Sequence, residues 1–359
     1  MRSAVVGERF AFASSISDDA WHSGKPPQAY EWWYFDALSD DGSEAVMIVF
    51  QDNFIYSPRY NLAHPSTDDG AASSRFPAVS FTYFAGGRQI YRAVNEYPGY
   101  DFAASENEPR CIIGGSGFHY DSAPYGSGYS VSVNLPLSRG RYLEAEFEWL
   151  SIEADLLQTS AAAAGSSRRW NMVAPRSDVS GKLKVRNSAG RVVDVRTFRG
   201  TGYHDHNLDS RCLANTVKEW HWGRAHFVDL TAVFCCYAET EDAKPDTELF
   251  LVRDGKLSRV NGVIQEQVFR RDGLGVKYPA STKLLGDGGE RLETAPITII
   301  DSSFYHHRFL SKVIFQIPGE NVRTGQAITE FISPKALRYR WLNLLSDLRT
   351  GRNGRGPLI

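Results

Sequence analysis

The sequence predicts an all-β protein in two halves, finished by one C-terminal helix. Three observations carry that expectation. Short apolar-alternating runs, divided by turn residues, follow one another along most of the 359 residues. Aromatic residues make up 13% of the chain, with 8 Trp, 17 Tyr and 20 Phe, a surplus that suits pleated surfaces better than helical bundles. Only after Ser333-Pro334 does the apolar spacing change to a helical period. A chain of this length is comfortable as two domains, and we divide it into residues 1–185 and 186–359, the boundary falling between about 165 and 195.

Taken in order, Tyr30 to Leu38 is the first strand. Ser39-Asp40-Asp41-Gly42 turns it into Ala45 to Phe54, the Asp-Gly pair shaping a hairpin. Val79 to Phe84 turns at Gly86-Gly87 into Gln89 to Val94, and Cys111 to Tyr120, Tyr129 to Leu135 and Tyr142 to Trp149 follow. Strands so spaced make a meandering antiparallel barrel or sandwich. Ala161 to Ser167 is a small-residue loop. The rhythm resumes with Val179 to Val185, Val192 to Arg199, Trp220 to Tyr237, Glu248 to Arg253, Val263 to Phe269, Ile297 to Ile300 and Val313 to Ile317. In Lys335 to Arg349, Leu337, Trp341, Leu344, Leu345 and Leu348 share one face of a helix that Ser333-Pro334 opens.

A formal net charge of -2 gives no reason to expect a nucleic-acid partner. Cys111, Cys212, Cys235 and Cys236 show no CxxC spacing and read as small buried hydrophobes in a reducing compartment. Cys235 and Cys236 are adjacent and point to opposite faces of a strand. Met1 to Phe12 lacks the basic and apolar pattern of a secretory leader, and no run of 18 apolar residues occurs, so a cytoplasmic protein is expected. There is no GxSxG elbow and no GxxxxGK[ST] loop, and Gly114 to Gly117 opens no helix that could cradle a phosphate.

The chemistry concentrates in Gly202-Tyr203-His204-Asp205-His206-Asn207 and Trp220-His221-Trp222-Gly223-Arg224. A carboxyl group among large rings is desolvated, which raises its pKa and lets it hold a proton to donate. The rings can stabilise a developing carbocation through their negative faces. This combination suits protonation of an apolar molecule.

Three segments together resemble the carotenoid 1,2-hydratases (hydroxyneurosporene synthases). They are Tyr30 to Gly42 with Ser57-Pro58-Arg59-Tyr60, the Gly202 to Asn207 and Trp222-Gly223-Arg224 pair, and Glu330-Phe331-Ile332-Ser333-Pro334 with the arginine-rich helix. The wider superfamily is built from two lipocalin-like antiparallel β-barrel domains packed together, and includes Diels–Alderase-type pericyclases. The resemblance implies cofactor-free chemistry on long apolar molecules: protonation of a terminal isoprenoid double bond, then addition of water. It gives Asp205 the donor's role and sets Tyr203 and Trp170 at the cation. In the family pattern a histidine precedes the tryptophan of Trp170-x-x-x-Ala174-Pro175 by two residues. Here Arg168 stands in that place, and a permanent cation cannot act as base for water.

The expected site is therefore Asp205 with Tyr203 as its hydrogen-bonding partner and His204 or His206 orienting acid or water. Glu31, Trp33, Trp170, Trp222 and Arg224 would line the substrate. The same residues also have structural readings. Asp205 could hold histidine tautomers, and Glu31 and Trp33 share one side of their strand, Trp32 and Tyr34 the other, so that the rings could fill a core. Arg224, like Arg59, could pair with Asp205 or Glu31, and pairing with Asp205 would abolish the acid. His204 and His206 share a face opposite Asp205 unless the strand bulges near Gly200 to Gly202. No third ligand stands at a recognisable offset from the two histidines, so neither a metal nor another cofactor is expected. His306-His307 is read as a solvated loop. Lys335, Arg338, Arg340, Arg349, Arg352 and Arg355 form either a solvated helix face or a peripheral contact with anionic lipid. The expected activity is that of a hydro-lyase or a cyclase on a polyene. The alternatives are a pericyclase and a non-catalytic carrier of a hydrophobic ligand.

Overall fold

Alternation in the sequence becomes pleat alternation in two sheets, and each sheet buries one or both of its faces. The structure, a computed structural model, describes residues 10–63, 75–123, 126–157, 166–239, 245–273, 275–334, 337 and 340–358. The first sheet takes β1 (Ala11–Ala13), β2 (Tyr30–Ser39), β3 (Glu44–Gln51), β4 (Ala78–Ala85), β5 (Arg88–Glu96), β6 (Phe102–Ala104), β7 (Arg110–Ile113), β8 (Ser116–Ala123), β9 (Gly126–Pro136), β10 (Tyr142–Glu153), β11 (Arg168–Arg186) and β12 (Val192–Asp209). The second takes β13 (Glu219–His226), β14 (Thr231–Ala238), β15 (Asp246–Arg253), β16 (Lys256–Arg271), β17 (Lys277–Gly286), β18 (Arg291–Ser302), β19 (His306–Gln316) and β20 (Arg323–Ile332). Helices α1 (Pro58–Ala63), α2 (Leu213–Thr216) and α3 (Arg340–Leu348) lie between and after them, and β21 (Gly351–Arg352) is the last strand.

Strands β13 to β20 close into an antiparallel barrel in simple up-and-down order. The other sheet is 13-stranded, in the order β21-β5-β4-β3-β2-β12-β11-β10-β9-β8-β7-β6, with β1 parallel to β11. β21 joins it by running parallel to β5, from Gly351 opposite Asn95. The change of sheet comes at residues 210–218, after β12, whereas the division expected at 185/186 falls in the β11–β12 hairpin. Hairpin partners seldom separate, because their ladder satisfies the backbone of both.

Three apolar layers result. Trp33, Phe35, Phe81, Tyr129 and Trp149 fill the concave side of the large sheet. Phe234, Leu249, Val313 and Phe315 fill the barrel. Tyr34, Trp170, Tyr203, Trp222 and Phe250 lie in a layer between the two. Cys235 belongs to that middle layer and Cys236 to the barrel interior, the opposite faces expected of neighbours on a strand. All four cysteines are buried and none forms a disulfide.

Most expected strands are present, with instructive differences. The run Cys111 to Tyr120 breaks into β7 and β8 at Gly114-Gly115, and Trp220 to Tyr237 breaks into β13 and β14. β17, which contains Pro279, and β20, which starts Arg323-Thr324-Gly325-Gln326, lack the apolar alternation that would announce them. His306 and His307 sit buried in β19, because Glu330 and Asp272 supply carboxylate partners there. The terminal helix is described over Arg340–Leu348, and its buried side carries Leu342, Asn343 and Ser346, whereas Trp341 and Leu344 are exposed. Contacts with α1 set that rotation. Among the terminal cations, Arg349 turns inward to donate to the Ser302 carbonyl and Arg352 pairs with Asp347. Lys335, Arg338 and the Arg340 side chain lie outside the described residues, as do residues 161–165 of the small-residue loop and residues 1–9. Among the described residues no helix is long and apolar enough to cross a membrane.

Gly202 shows how tightly the concave core is packed. A Cβ there would lie 2.5 Å from both Trp149 Nε1 and Val179 Cγ2. Gly202→Ala is therefore expected to cost about 1–3 kcal/mol through overpacking. A urea titration with an unchanged midpoint would show that the neighbours give way freely.

Candidate active site

β12 positions the site because its two faces open on different layers. Residues Gly200 to Asp209 pair with β2 in unbroken register, Asp205 opposite Tyr34 and His206 opposite Trp33. The irregularities lie on the other side, in β11 between Asn171 and Ser177. β12 therefore keeps strict alternation: Tyr203 and Asp205 face the barrel, and His204 and His206 face the concave core.

Between sheet and barrel lies a cavity lined by residues of both. Its walls include Trp32 and Tyr34 from β2, Asp205 and Asn207 from β12, and Trp220 and Trp222 from β13. Ile55, Tyr56, Tyr305 and Ile332 extend the apolar lining, and Arg92, Asp301, His306, Arg308 and Glu330 give one wall a charged character.

Asp205 is buried, and three donors converge on it. Trp170 Nε1 and the Tyr203 hydroxyl each donate to Oδ2 at 2.9 Å, and Asn207 Nδ2 donates to Oδ1 at 3.0 Å. Burial disfavours the carboxylate strongly, and the negative charges of Glu330 and Asp36 add to it. The hydrogen bonds from Trp170 and Tyr203 pull the other way, and burial wins, pushing Asp205 up to about 8. The carboxyl is thus neutral at pH 7. Around it, Trp222 lies 5.1 Å from the Tyr203 ring and 5.6 Å from the Tyr34 ring, centroid to centroid.

Arg224 does not touch Asp205. It is 1% exposed and grips Asp36 through Nε at 2.8 Å and through Nη2. The Tyr34 hydroxyl donates to the other Asp36 oxygen at 2.8 Å. Arg59 pairs with Glu96 instead. Both cations that threatened the acid are engaged elsewhere.

His204, His206, Glu31 and Trp33, all expected at the site, belong to the layer behind it, because alternation along β2 and β12 turns them away from the cavity. His204 faces the Tyr34 carbonyl with Nδ1 at 3.0 Å and Asp19 Oδ2 with Nε2 at 3.0 Å. The Tyr129 hydroxyl donates to the same Asp19 oxygen at 2.7 Å. His206 stacks on Trp33 and reaches Glu31 with Nε2 at 2.7 Å. Burial lowers His206 to about 4, whereas the two histidines overcome burial to hold Asp19 near 2. Among the described residues, one group could hold a metal ion: His22, Glu31 and His206, whose ligand atoms lie within 4.8 Å of one another. The Lys25 ammonium sits on Glu31 and Asp52 in the same place, so the chain itself supplies the positive charge.

Of the expected residues, Asp205 and Trp222 reach the cavity, and Tyr203 and Trp170 touch Asp205 directly. Trp32 and Tyr34 take the wall position expected of Trp33. Arg308, Glu330 and His306 were not foreseen. Glu330 opens the Glu330 to Pro334 match and could have been noticed there. Arg168 is 3% exposed and lies behind the wall, its guanidinium over the Tyr237 ring at 3.8 Å and the Trp220 ring at 4.5 Å.

Comparison with known proteins adds an independent line. A family model described as carotenoid hydratase CrtC matches residues 154–356. The chain is 28% identical over 350 residues to a hydroxyneurosporene dehydrogenase of Chlorobaculum tepidum, covering 94% of this chain and 91% of that one. It is 25% identical over 215 residues to an acyclic carotenoid 1,2-hydratase of Rubrivivax gelatinosus, covering 57% of this chain and 47% of that protein. Among solved structures, CghA with Sch210972 gives a TM-score of 0.60 at 15% identity, over 86% of this chain and 89% of that one. An AttH protein of Nitrosomonas europaea gives 0.59 at 15% identity, over 93% and 99%. At such identities these two likenesses concern the fold, and they match the lipocalin-like architecture expected from the sequence.

The Asp36–Arg224 pair yields a stability test. Arg224→Met strands a buried carboxylate and is expected to cost about 3–5 kcal/mol, much of it recovered when Asp36→Asn is added. Additive losses in the double variant, measured by chemical denaturation, would contradict the coupling.

Proposed function

Because the chain belongs to the carotenoid hydratase CrtC family, we propose that it adds water across a terminal isoprenoid double bond of an acyclic carotenoid, with Asp205 as the proton donor. One observation carries the reading: a carboxyl group held neutral at pH 7 lines an apolar cavity walled by rings. A polyene is a hydrophobic small molecule that such a lining suits.

The first step moves the Asp205 proton to the terminal alkene carbon, whose π electrons form the new C–H bond and leave a tertiary cation. Trp222, Trp32 and Tyr34 present ring electrons to that charge. Tyr203 and Trp170 then stabilise the carboxylate left behind, since both already donate to Oδ2. Water captures the cation and loses a proton, giving a tertiary alcohol. Alkene, water and side chains balance the reaction, with no further cofactor required.

Asp205→Asn keeps the shape and removes the proton, so turnover of an acyclic carotene is expected to fall about 10²–10⁴-fold. Chromatography with mass detection reads it: hydration adds one water, whereas cyclisation leaves the mass unchanged. Full activity in Asp205→Asn would remove the acid from the mechanism. Loss confined to Trp222→Ala would favour a pericyclase, in which shape matters more than acidity.

The pH dependence follows from the same group. The reactive form is protonated, so turnover stays level below about 8 and declines above it, by about tenfold per pH unit, as Asp205 ionises. A rate that rises through this range would contradict the assignment.

A further inference from the structure

Addition of water to a cation releases a proton, and the cavity that holds Asp205 also holds a group able to receive it. We infer that Glu330 is the base of this site, taking the proton from the water that captures the cation, with His306 and Arg308 holding its carboxylate in position. The inference rests on the proposed hydration and deepens it.

Glu330 lines the same cavity as Asp205. It sits on β20 directly across from Trp222 on β13, so the two side chains stand side by side on one face. Trp222 in turn abuts Tyr203, the donor to Asp205. Trp222 therefore links the carboxylate to the Tyr203–Asp205 pair, and its ring is where a cation would be held.

The way Glu330 is anchored leaves it able to act. Arg308 Nη2 at 3.1 Å and His306 Nε2 both engage Oε1. Oε2 takes part in neither contact, and the side chain keeps 15% of its exposure. Burial would favour the neutral acid, but Arg308 and His306 overcome it and hold Glu330 near 2, so it is ionised wherever the enzyme works. A carboxylate of that basicity still suffices, since an oxonium centre is a far stronger acid. Asp301, the other ionised carboxyl in the cavity, is engaged on Oδ1 by Gln89, Arg92 and the Ser302 amide. Two carboxyl groups driven apart in acidity within one cavity is the arrangement that divides acid from base. Arg168, in contrast, is enclosed by rings and brings no base to the cavity.

The step balances as follows. The Asp205 O–H bond breaks as the alkene C–H bond forms. A water lone pair makes the C–O bond, one O–H bond of that water breaks, and its proton passes to Glu330 Oε2. Transfer of that proton back to Asp205 through cavity water restores both groups.

The test uses the full chain with the acyclic carotene lycopene in detergent micelles in D₂O, followed by mass spectrometry of product and recovered substrate. Glu330→Gln preserves size and the Arg308 contact. Its hydration is expected to fall about 10²-fold or more, while recovered lycopene gains deuterium because the cation still forms and reverses. Asp205→Asn is expected neither to hydrate lycopene nor to place deuterium in it, because no cation forms. In Glu330→Ala, added formate is expected to restore part of the hydration, which a purely structural role would not allow. Wild-type hydration rates in Glu330→Gln would overturn the inference, as would loss of deuterium exchange together with hydration in a Glu330→Gln protein that melts like the wild type. Absence of formate rescue would also count against it. Hydration that survives in Asp205→Asn, or is missing in the wild type, would instead overturn the proposed function, and the base assignment with it.

Discussion

Strict alternation along β12 is the constraint on which the rest of the structure depends. With no bulge between Gly200 and Asp209, every second side chain must enter the layer between sheet and barrel, and the others must enter the concave core. The first set delivers Tyr203, Asp205 and Asn207 to one place. The second delivers His204 and His206 to a separate one. A one-residue slip would exchange the two sets, leaving imidazoles against the rings and an unpaired carboxylate against Asp19 and Glu31. The unbroken β2 ladder on one side and the long β11 hairpin on the other make that slip costly.

The two layers solve opposite electrostatic problems. Behind β12, Lys25 sits on Glu31 and Asp52, and His204 and His206 reach Asp19 and Glu31, so each buried carboxylate has a partner. In front, Asp205 receives three hydrogen bonds but no cation, and so keeps its proton. Arg224, on the neighbouring barrel, was the hazard the sequence raised. Its commitment to Asp36, reinforced by the Tyr34 hydroxyl, separates a structural ion pair from a reactive acid on neighbouring strands.

Much of this was legible in the sequence, and the failures have physical causes. Asp-Gly and Gly-Gly turns and alternating runs announced most strands, because turn geometry and pleat period are local properties. The Asp205 cluster was legible for the same reason, lying within a few residues on one strand. Tyr34 and Glu31 divided correctly between faces, yet which face met the cavity depends on the barrel, far along the chain. His306 could not be told from a loop residue, because its partner Glu330 arrives from another strand. The change of sheet after β12 was also hidden, since nothing in the alternation of Val192 to Asp209 says which neighbour the strand will find.

The last short strand gives the molecule a timing. β21 lies parallel to β5 at the edge of the sheet that begins the chain, some 250 residues earlier, with Gly351 beside Asn95. During synthesis the Asn95–Glu96 end of that edge must wait, bare, while the whole barrel is made. Exposed ladder edges attract other chains. Newborn molecules should thus be most prone to mispairing before residues 351–352 leave the ribosome, and holdase chaperones that shield β5 would raise the yield of folded protein.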